Sequence, residues 1–324
     1  MSDNNPLRTH LLIAGAGLPV EADPDPHQAR PAQQLPPKLR ALLARMSSVA
    51  VIECAEDSPS MPYELALARL NGLPGEAGLI PWAAFETDTI ATPCAWIRPC
   101  HWQVGIDHVL LGDPAALGLD EAGSRALLDA AAPYFREDGI ALEYRMPGAW
   151  FATGEVFRAL PTVSLERVIG KRITPALFDT SARHSSVLRR LQNEMQMLFY
   201  THPVNDARQQ QGLPLVNSFW IAGAGVLAQP ASPATPANGV VVETRLCDSA
   251  LRRDAQAHAQ AWGQVDADAC ARLLRLLDEG KQDVRLTLCG ERLARTFAPA
   301  TPSLAQRISN LFGGQPHARL LDQL

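Results

Sequence analysis

The chain has 324 residues, of which 47% are hydrophobic and 19% are charged. This composition is typical of a globular protein, and it excludes a disordered chain, a collagen-like chain and a small disulfide-stapled domain. The 29 basic residues stand against 34 acidic residues, which gives a net charge of −5. Because nucleic-acid binding needs a basic surface, we expect no nucleic-acid partner.

The cysteines and an apolar run near the start bear on the cellular location. The six cysteines form no Cys-x-x-Cys pair, which is typical of a reduced protein with buried thiols. The run 11–20 follows acidic Asp3 and a single Arg8 rather than a basic segment, and it is too short to span a bilayer. We therefore expect a first strand rather than a signal peptide, no membrane partner and a cytoplasmic location.

The first ninety residues alternate strand and helix patterns, as an α/β domain does. The strand predicted at 9–14 ends in the glycine turn Gly15-Ala16-Gly17. Ser60 is a good N-cap for a helix with Pro62 in its first turn. The elements predicted between and beyond these points are a surface loop 19–37, a helix 37–46, a strand 49–53 and a helix from 60 to 70.

The pattern changes after residue 90. Strands are predicted at 96–104 and 108–111, a helix at 119–135, and strands at 140–144 and 149–152. This β-β-α-β-β stretch reads as a separate layer. We therefore predict a mixed sheet sandwiched by helices, built from residues 1–90 and 186–324, with an inserted α+β segment at 91–185.

The remaining residues return to the α/β pattern. A strand at 216–222 leads into a second predicted turn, Gly223-Ala224-Gly225, and Asp266 is a reasonable N-cap. The other predicted elements are helices 187–200, 204–211, 249–262 and 266–277, strands 240–244 and 284–288, and a final helix from Ser303.

The pentapeptide Ile-Ala-Gly-Ala-Gly occurs at both 13–17 and 221–225. A dinucleotide fingerprint needs a third small residue and then a helix. The first copy has Val20 at the third position, and the second runs into Pro230 and Pro233. We therefore expect no nucleotide and no other cofactor, but tight turns at strand ends, where ligand clefts also form. The loop glycines singled out in this way are Gly15, Gly17, Gly223 and Gly225.

The block 191–225 holds the richest set of polar side chains. Asn205 and Arg208 are three residues apart, so that one helical face presents both. An arginine with asparagine and histidine nearby suits a carboxylate or a phosphate. A polar network that pins loops together explains the same residue types equally well. The candidate anion-binding residues are His202, Asn205, Arg208, Asn217 and Trp220.

This block carries a family resemblance. The matching residues are His202-Pro-Val-Asn205, Arg208, Gly212, Pro214, Asn217 and Gly223-Ala-Gly225. They resemble a segment of the cofactor-independent phosphoglycerate mutases, especially the archaeal type. Over most of its length the chain is similar to the RpfE-type regulatory protein family, whose members are often labelled phosphoglycerate mutase-like.

The mutase resemblance implies an alkaline-phosphatase-like α/β domain with an insertion. It also implies a two-metal site with aspartate and histidine ligands and a serine or threonine that accepts the phosphoryl group. The mutases place Asp-Gly directly after their first strand, where this chain has Ala14-Gly15. They place an aspartate and, four residues later, a histidine near a late strand, where residues 289–295 contain neither. We therefore expect no metal site and assign no catalytic residue.

Three functional hypotheses follow. The first is a phosphoglycerate mutase-like protein without catalytic activity, acting as a regulator or binding a small anion such as a phosphorylated acid. The second is an active mutase or phosphotransferase whose metal ligands lie elsewhere in the sequence. The third is a protein-interaction module in which the block 191–225 is purely architectural. No protein partner can be named from the sequence.

Overall fold

A computed structural model describes residues 9–17, 35–104, 109–173, 185–231, 239–281, 283–300 and 320–324. The chain divides into two compact units. The first comprises Met1–Asp57, Met61–Asn71 and Pro233–Leu324, and the second comprises Ser58–Ser60 and Gly72–Ser232. The first unit is therefore discontinuous in sequence.

The strands are β1 Thr9–Ile13, β2 Met46–Glu53, β3 Cys94–Cys100, β4 Trp102–Val104, β5 Val109–Leu111, β6 Ala141–Met146, β7 Ala149–Thr153, β8 Arg172–Ile173, β9 Ser218–Gly225, β10 Val240–Glu243, β11 Val284–Cys289 and β12 Leu293–Pro299. The α-helices are α1 Pro37–Leu43, α2 Pro62–Leu70, α3 Trp82–Glu86, α4 Glu121–Glu137, α5 Leu165–Val168, α6 Ser185–Tyr200, α7 Pro203–Gln210, α8 Cys247–Leu251, α9 Ala255–Val265, α10 Ala271–Asp278 and α11 Leu320–Gln323.

The first unit is built on a mixed sheet of order β10-β1-β11-β12-β2. Strands β10, β1 and β11 run parallel, whereas β12 is antiparallel to both of its neighbours. Leu11 and Ile13 point into a core shared with α1, α9 and α10, while Leu12 on the opposite face packs with Ala66 of α2. Helices therefore cover both faces, which confirms the predicted α/β class and the helix-covered mixed sheet.

The second unit has an antiparallel sheet of order β6-β7-β3-β9 and a small sheet of order β4-β5-β8. Its main core joins one face of the larger sheet to α4 and α6. Trp150 and Phe219 from the sheet are fully buried there, together with Phe135 of α4 and Phe199 of α6. This core positions the candidate anion-binding residues.

The block 191–225 belongs to the second unit, because β9 pairs with β3 and α6 packs on β9. The second unit accordingly extends beyond the predicted insertion 91–185 at both ends. This arrangement depends on strand pairing between residues more than a hundred positions apart, and local patterns carry no information about it.

Several local predictions differ from the structure. Strand β12 was not predicted. Asp266 does not begin a helix, because a π-helical turn at Asp266–Cys270 joins α9 to α10. Its carboxylate instead accepts from the N–H groups of Lys38 and Leu39, at 3.2 and 2.8 Å, and so caps α1. Ser60 is not the N-cap of α2, because its Oγ accepts from the Gly78 N–H at 2.9 Å.

Other predictions fall outside the described residues. Most of the loop predicted at 19–37 and the beginning of the helix predicted from Ser303 lie there. In the part of the chain that is described, no helix is both long enough and apolar enough to cross a membrane.

Candidate functional site

Asn205 lies in α7 and is buried. Its Nδ2 donates to the carbonyl oxygens of Phe199 and Val216, at 2.8 and 2.7 Å. Its Oδ1 accepts from the Val216 N–H at 2.9 Å. Both amide hydrogens are therefore committed to backbone groups, and the side chain ties α7 to the segment that leads into β9.

Arg208 is one helical turn further along α7 and is also buried. Its Nε donates to the Pro214 carbonyl at 2.8 Å, and its Nη2 donates to the Leu117 carbonyl. Burial lowers the pKa of Arg208, and the carboxylate of Asp120 acts in the opposite direction. The guanidinium thus connects the 3₁₀ turn at Pro114–Leu117 to the loop that follows α7.

The other three candidates also contact backbone groups of the second unit. Asn217 accepts from the Trp102 N–H at 2.7 Å and donates to the Trp102 carbonyl at 2.8 Å. Trp220 donates from Nε1 to the Val163 carbonyl at 2.9 Å. His202 is the N-cap of α7, and its Nδ1 accepts from the Val204 N–H at 3.2 Å.

Two of these side chains, Arg208 and Asn205, contact one short segment, and Asn217 lies next to that segment but contacts Trp102. Arg208 contacts Pro214, Asn205 contacts Val216, and Asn217 follows directly. The structure thus brings the predicted residues together, but around protein backbone. This geometry favours the pinning network that the sequence left open as an alternative to anion binding.

Gly15 and Gly17 lie in the first unit, at the predicted turn after β1. Gly15 has a φ of +69°, and a Cβ there would lie 3.1 Å from the backbone of Cys247. Its carbonyl accepts from Nε2 of His258 at 2.9 Å. Both the positive φ and the close backbone therefore require glycine at this position.

Gly223 and Gly225 lie in the second unit, inside β9 rather than in the predicted turn after it. A Cβ on Gly223 would lie 2.7 Å from Cβ of Trp82, and one on Gly225 would lie 2.8 Å from Cβ of Pro81. The prediction of a loop was wrong here, because these glycines admit the start of α3 against the strand.

The carboxyl ends of β1 and β11 are the place to test the two-metal site implied by the resemblance. Gly290 follows β11, and a Cβ there would overlap the carbonyl carbon of Leu324. The Leu324 oxygen accepts from the N–H groups of Arg292 and Leu293, at 2.9 and 3.1 Å. Backbone of the same chain therefore fills this end of the sheet.

The side chains nearby are poor donors for hard metal ions. Burial raises the pKa of the Cys289 thiol well above its usual range. Glu243, at the end of β10, is paired with Arg245 at 2.6 Å. Across the described ranges, no group of three or more His, Cys, Asp or Glu side chains could hold a metal ion. The described residues at these strand ends do not fit a two-metal site.

The structure also reveals a polar group that the sequence reasoning missed. We call Glu86, Trp96, Arg98 and Glu166 the Arg98 cluster. Arg98 lies in β3 with its guanidinium carbon 5.3 Å from the centre of the Trp96 ring. The Trp96 Nε1 donates to Glu86 Oε2 at 2.7 Å. The detectable signal was a single arginine within the otherwise apolar strand Cys-Ala-Trp-Ile-Arg-Pro-Cys.

Among the described residues, the guanidinium of Arg98 contacts the Trp96 ring but has no hydrogen-bond or ion-pair partner. Its Nε is sealed from solvent and has no partner in the described part of the chain, although the backbone of Arg98 takes part in the pairing of β3 with β9. The residue as a whole is half-buried. Burial lowers the pKa of Arg98, whereas the charges of Glu86 and Glu166 oppose that shift.

No family model matches the chain, and no curated protein matches it. Among solved structures, it is similar to the PH0037 protein from Pyrococcus horikoshii, with a TM-score of 0.40 and 14% identity over 90% of this chain and 88% of that one. It is also similar to the cofactor-independent phosphoglycerate mutase from Thermoplasma acidophilum, with a TM-score of 0.32 and 13% identity over 90% of both chains.

Proposed function

We propose that the chain is a phosphoglycerate mutase-like protein of alkaline-phosphatase-like fold that lacks catalytic activity and acts as a regulatory or small-anion-binding protein. The contact between Gly290 and Leu324 carries this proposal. In open α/β sheets, ligands bind beyond the carboxyl ends of the parallel strands. Here that end of β11 packs against backbone whose carbonyl already accepts two hydrogen bonds.

The donor set supports the same proposal. Two-metal phosphoryl transfer needs carboxylate and imidazole ligands that coordinate two ions lying about 4 Å apart. Glu243 is engaged by Arg245, and Cys289 is a buried thiol. The sequence resemblance through 191–225 therefore reflects shared ancestry without a shared reaction. We further propose membership of the RpfE-type regulatory family and, because none of the six cysteines forms a disulfide bond in the described residues, a reducing cytoplasmic location.

A protein-interaction module is the second candidate. The hydrogen bonds of Asn205, Arg208 and Asn217 favour it, because these side chains bind backbone groups of the protein itself. A module of this kind needs no small-molecule pocket.

Metal analysis and a coupled mutase assay test the proposal. The purified protein, supplied with Mn²⁺, Mg²⁺ or Zn²⁺, is expected to show no turnover of 3-phosphoglycerate and no stoichiometric metal. Turnover with bound metal would restore the enzymatic hypothesis. Thermal stabilisation by 3-phosphoglycerate separates the other two, since a binding protein is stabilised by its ligand and a pure interaction module is not.

A further inference from the structure

We infer that the Arg98 cluster is a binding site for a small zwitterion with a carboxylate and an ammonium group, as in an α-amino acid. The ligand carboxylate pairs with Arg98, and its ammonium group lies toward Glu86. This ligand class goes beyond the phosphorylated acid considered above.

The first support is the uncommitted charge of Arg98. Taking a charged group partly out of water is costly unless an opposite charge or hydrogen bonds compensate for it. The Trp96 ring provides part of that compensation through a cation–π contact at 5.3 Å. With Nε sealed, the two terminal nitrogens remain to bind a carboxylate end-on through two parallel hydrogen bonds.

The second support is the position of Glu86. Its Oε2 accepts from the indole N–H of Trp96, whose ring also contacts Arg98. The two opposite charges thus share one indole, yet no ion pair joins them within the described residues. A ligand with one negative and one positive group can pair with Arg98 and Glu86 at the same time. Its ammonium group can also make a cation–π contact with the Trp96 ring.

The third support is the charge balance. Glu166 of α5 adds a second carboxylate to the cluster, and its Oε2 accepts from the Ser164 hydroxyl at 3.1 Å. The guanidinium of Arg98 and the carboxylate of Glu86 already sum to zero charge, so that a phosphate dianion would leave an uncompensated negative charge. They accommodate a ligand of zero net charge.

Thermal-shift measurements and titration calorimetry on the full chain test the inference with the twenty L-amino acids. Each is compared with its N-acetyl derivative, which lacks the ammonium group, and its carboxamide, which lacks the carboxylate. At least one free amino acid is expected to stabilise the protein, and its two derivatives are expected to bind at least about tenfold more weakly. No response to any free amino acid, or an equal response to the derivatives, would overturn the inference.

Two variants assign the response to this cluster. Arg98→Met is expected to abolish binding. Arg98→Lys keeps the charge but cannot form two parallel hydrogen bonds with a carboxylate, and it is expected to weaken binding about tenfold. Glu86→Gln retains an acceptor for the Trp96 N–H. It is expected to weaken the binding of the free amino acid but not the binding of its N-acetyl form. Arg125→Met is the matched control, because Arg125 makes a cation–π contact with Tyr144 elsewhere in the same unit. Equal loss in this control would contradict the assignment.

The outcomes separate this inference from the proposed function. Mutase turnover with bound metal would remove the proposed function and leave amino-acid binding at Arg98 intact. Stabilisation by 3-phosphoglycerate without any amino-acid response would remove the inference about Arg98 and leave the proposed function intact. Retained binding in a folded Arg98→Lys and Arg98→Met pair, judged by circular dichroism, would place the ligand elsewhere.

Discussion

The side chain of Asn205 binds both the N–H and the C=O of Val216, at 2.9 and 2.7 Å. An asparagine amide presents the same donor and acceptor pair as a peptide group, so this contact replaces a strand neighbour just before β9 begins. Asn217 repeats the arrangement on Trp102. Two asparagines twelve residues apart thus fix the course of one connection by imitating backbone.

Asn205→Ala should lower the free energy of unfolding by about 3 kcal/mol, because it leaves buried backbone groups of Phe199 and Val216 without partners. Urea unfolding followed by circular dichroism measures the change. Asp206→Ala, an exposed neighbour on the same helix, should stay within about 0.5 kcal/mol. Equal effects of the two substitutions would show that the Asn205 contacts contribute little.

Gly290→Ala should destabilise the first unit by about 2–4 kcal/mol, because the new Cβ would overlap the backbone of Leu324. Gly263→Ala is the matched control, since Gly263 lies inside α9 with open space at its Cβ position. That control should stabilise the protein by about 0.5–1 kcal/mol. If Gly290→Ala is neutral in thermal unfolding, the close packing at the carboxyl end of β11 is not maintained in solution.

Ser218→Ala should leave stability unchanged or raise it by up to about 1 kcal/mol. The Ser218 hydroxyl is sealed from solvent and has no partner in the described residues, so its removal relieves an unsatisfied polar group. Denaturant unfolding of the variant provides the measurement. A marked loss of stability would reveal a hydrogen bond that Ser218 makes in solution.

Stability should fall as the pH drops from about 6.5 to about 4 because of His10. Burial first, and then the positive charge of Arg285, lower the pKa of His10 to about 4. The unfolded chain therefore binds a proton in this range while the folded chain does not, so the stabilisation is present above the unfolded pKa. It is lost progressively down to the folded pKa, by roughly 2–3 kcal/mol.

His10→Gln tests this pH dependence. The glutamine can still hydrogen bond with Thr287, whose hydroxyl lies 2.7 Å from His10 Nε2, but it does not titrate. Unfolding free energies at pH 7.5, 6, 5 and 4 should therefore show a shallower slope in the variant. An unchanged slope would assign the acid sensitivity to other groups, with buried His258 the first to examine, since burial lowers its pKa as well.

The elements with strong local patterns could be predicted from the sequence. Helix α4 follows its apolar periodicity, and β1 ends at Ile13, close to the predicted turn that contains Gly15. Strand β12 could not be predicted in the same way, because its sequence contains two alanines and ends in proline. Its strand conformation comes from pairing with β11 and β2 on either side.

The candidate site shows the same division between local and distant information. Residue types in 202–220 indicated a polar network, but the carbonyls that Arg208 and Trp220 contact belong to residues 117 and 163. No local pattern reveals such partners. Asp266 is a further example, since its sequence context is typical of an N-cap and the helix that it caps is α1.

The pairing of β1 also sets the order in which the two units can fold during synthesis. Its two neighbours, β10 and β11, begin at Val240 and Val284, so β1 leaves the ribosome long before either partner exists. All of the second unit, Ser58–Ser60 and Gly72–Ser232, is synthesised before either of these strands. A nascent chain whose second unit has left the ribosome before β10 and β11 emerge therefore carries one complete unit and an unpaired apolar strand, which is open to chaperones, proteases and other chains.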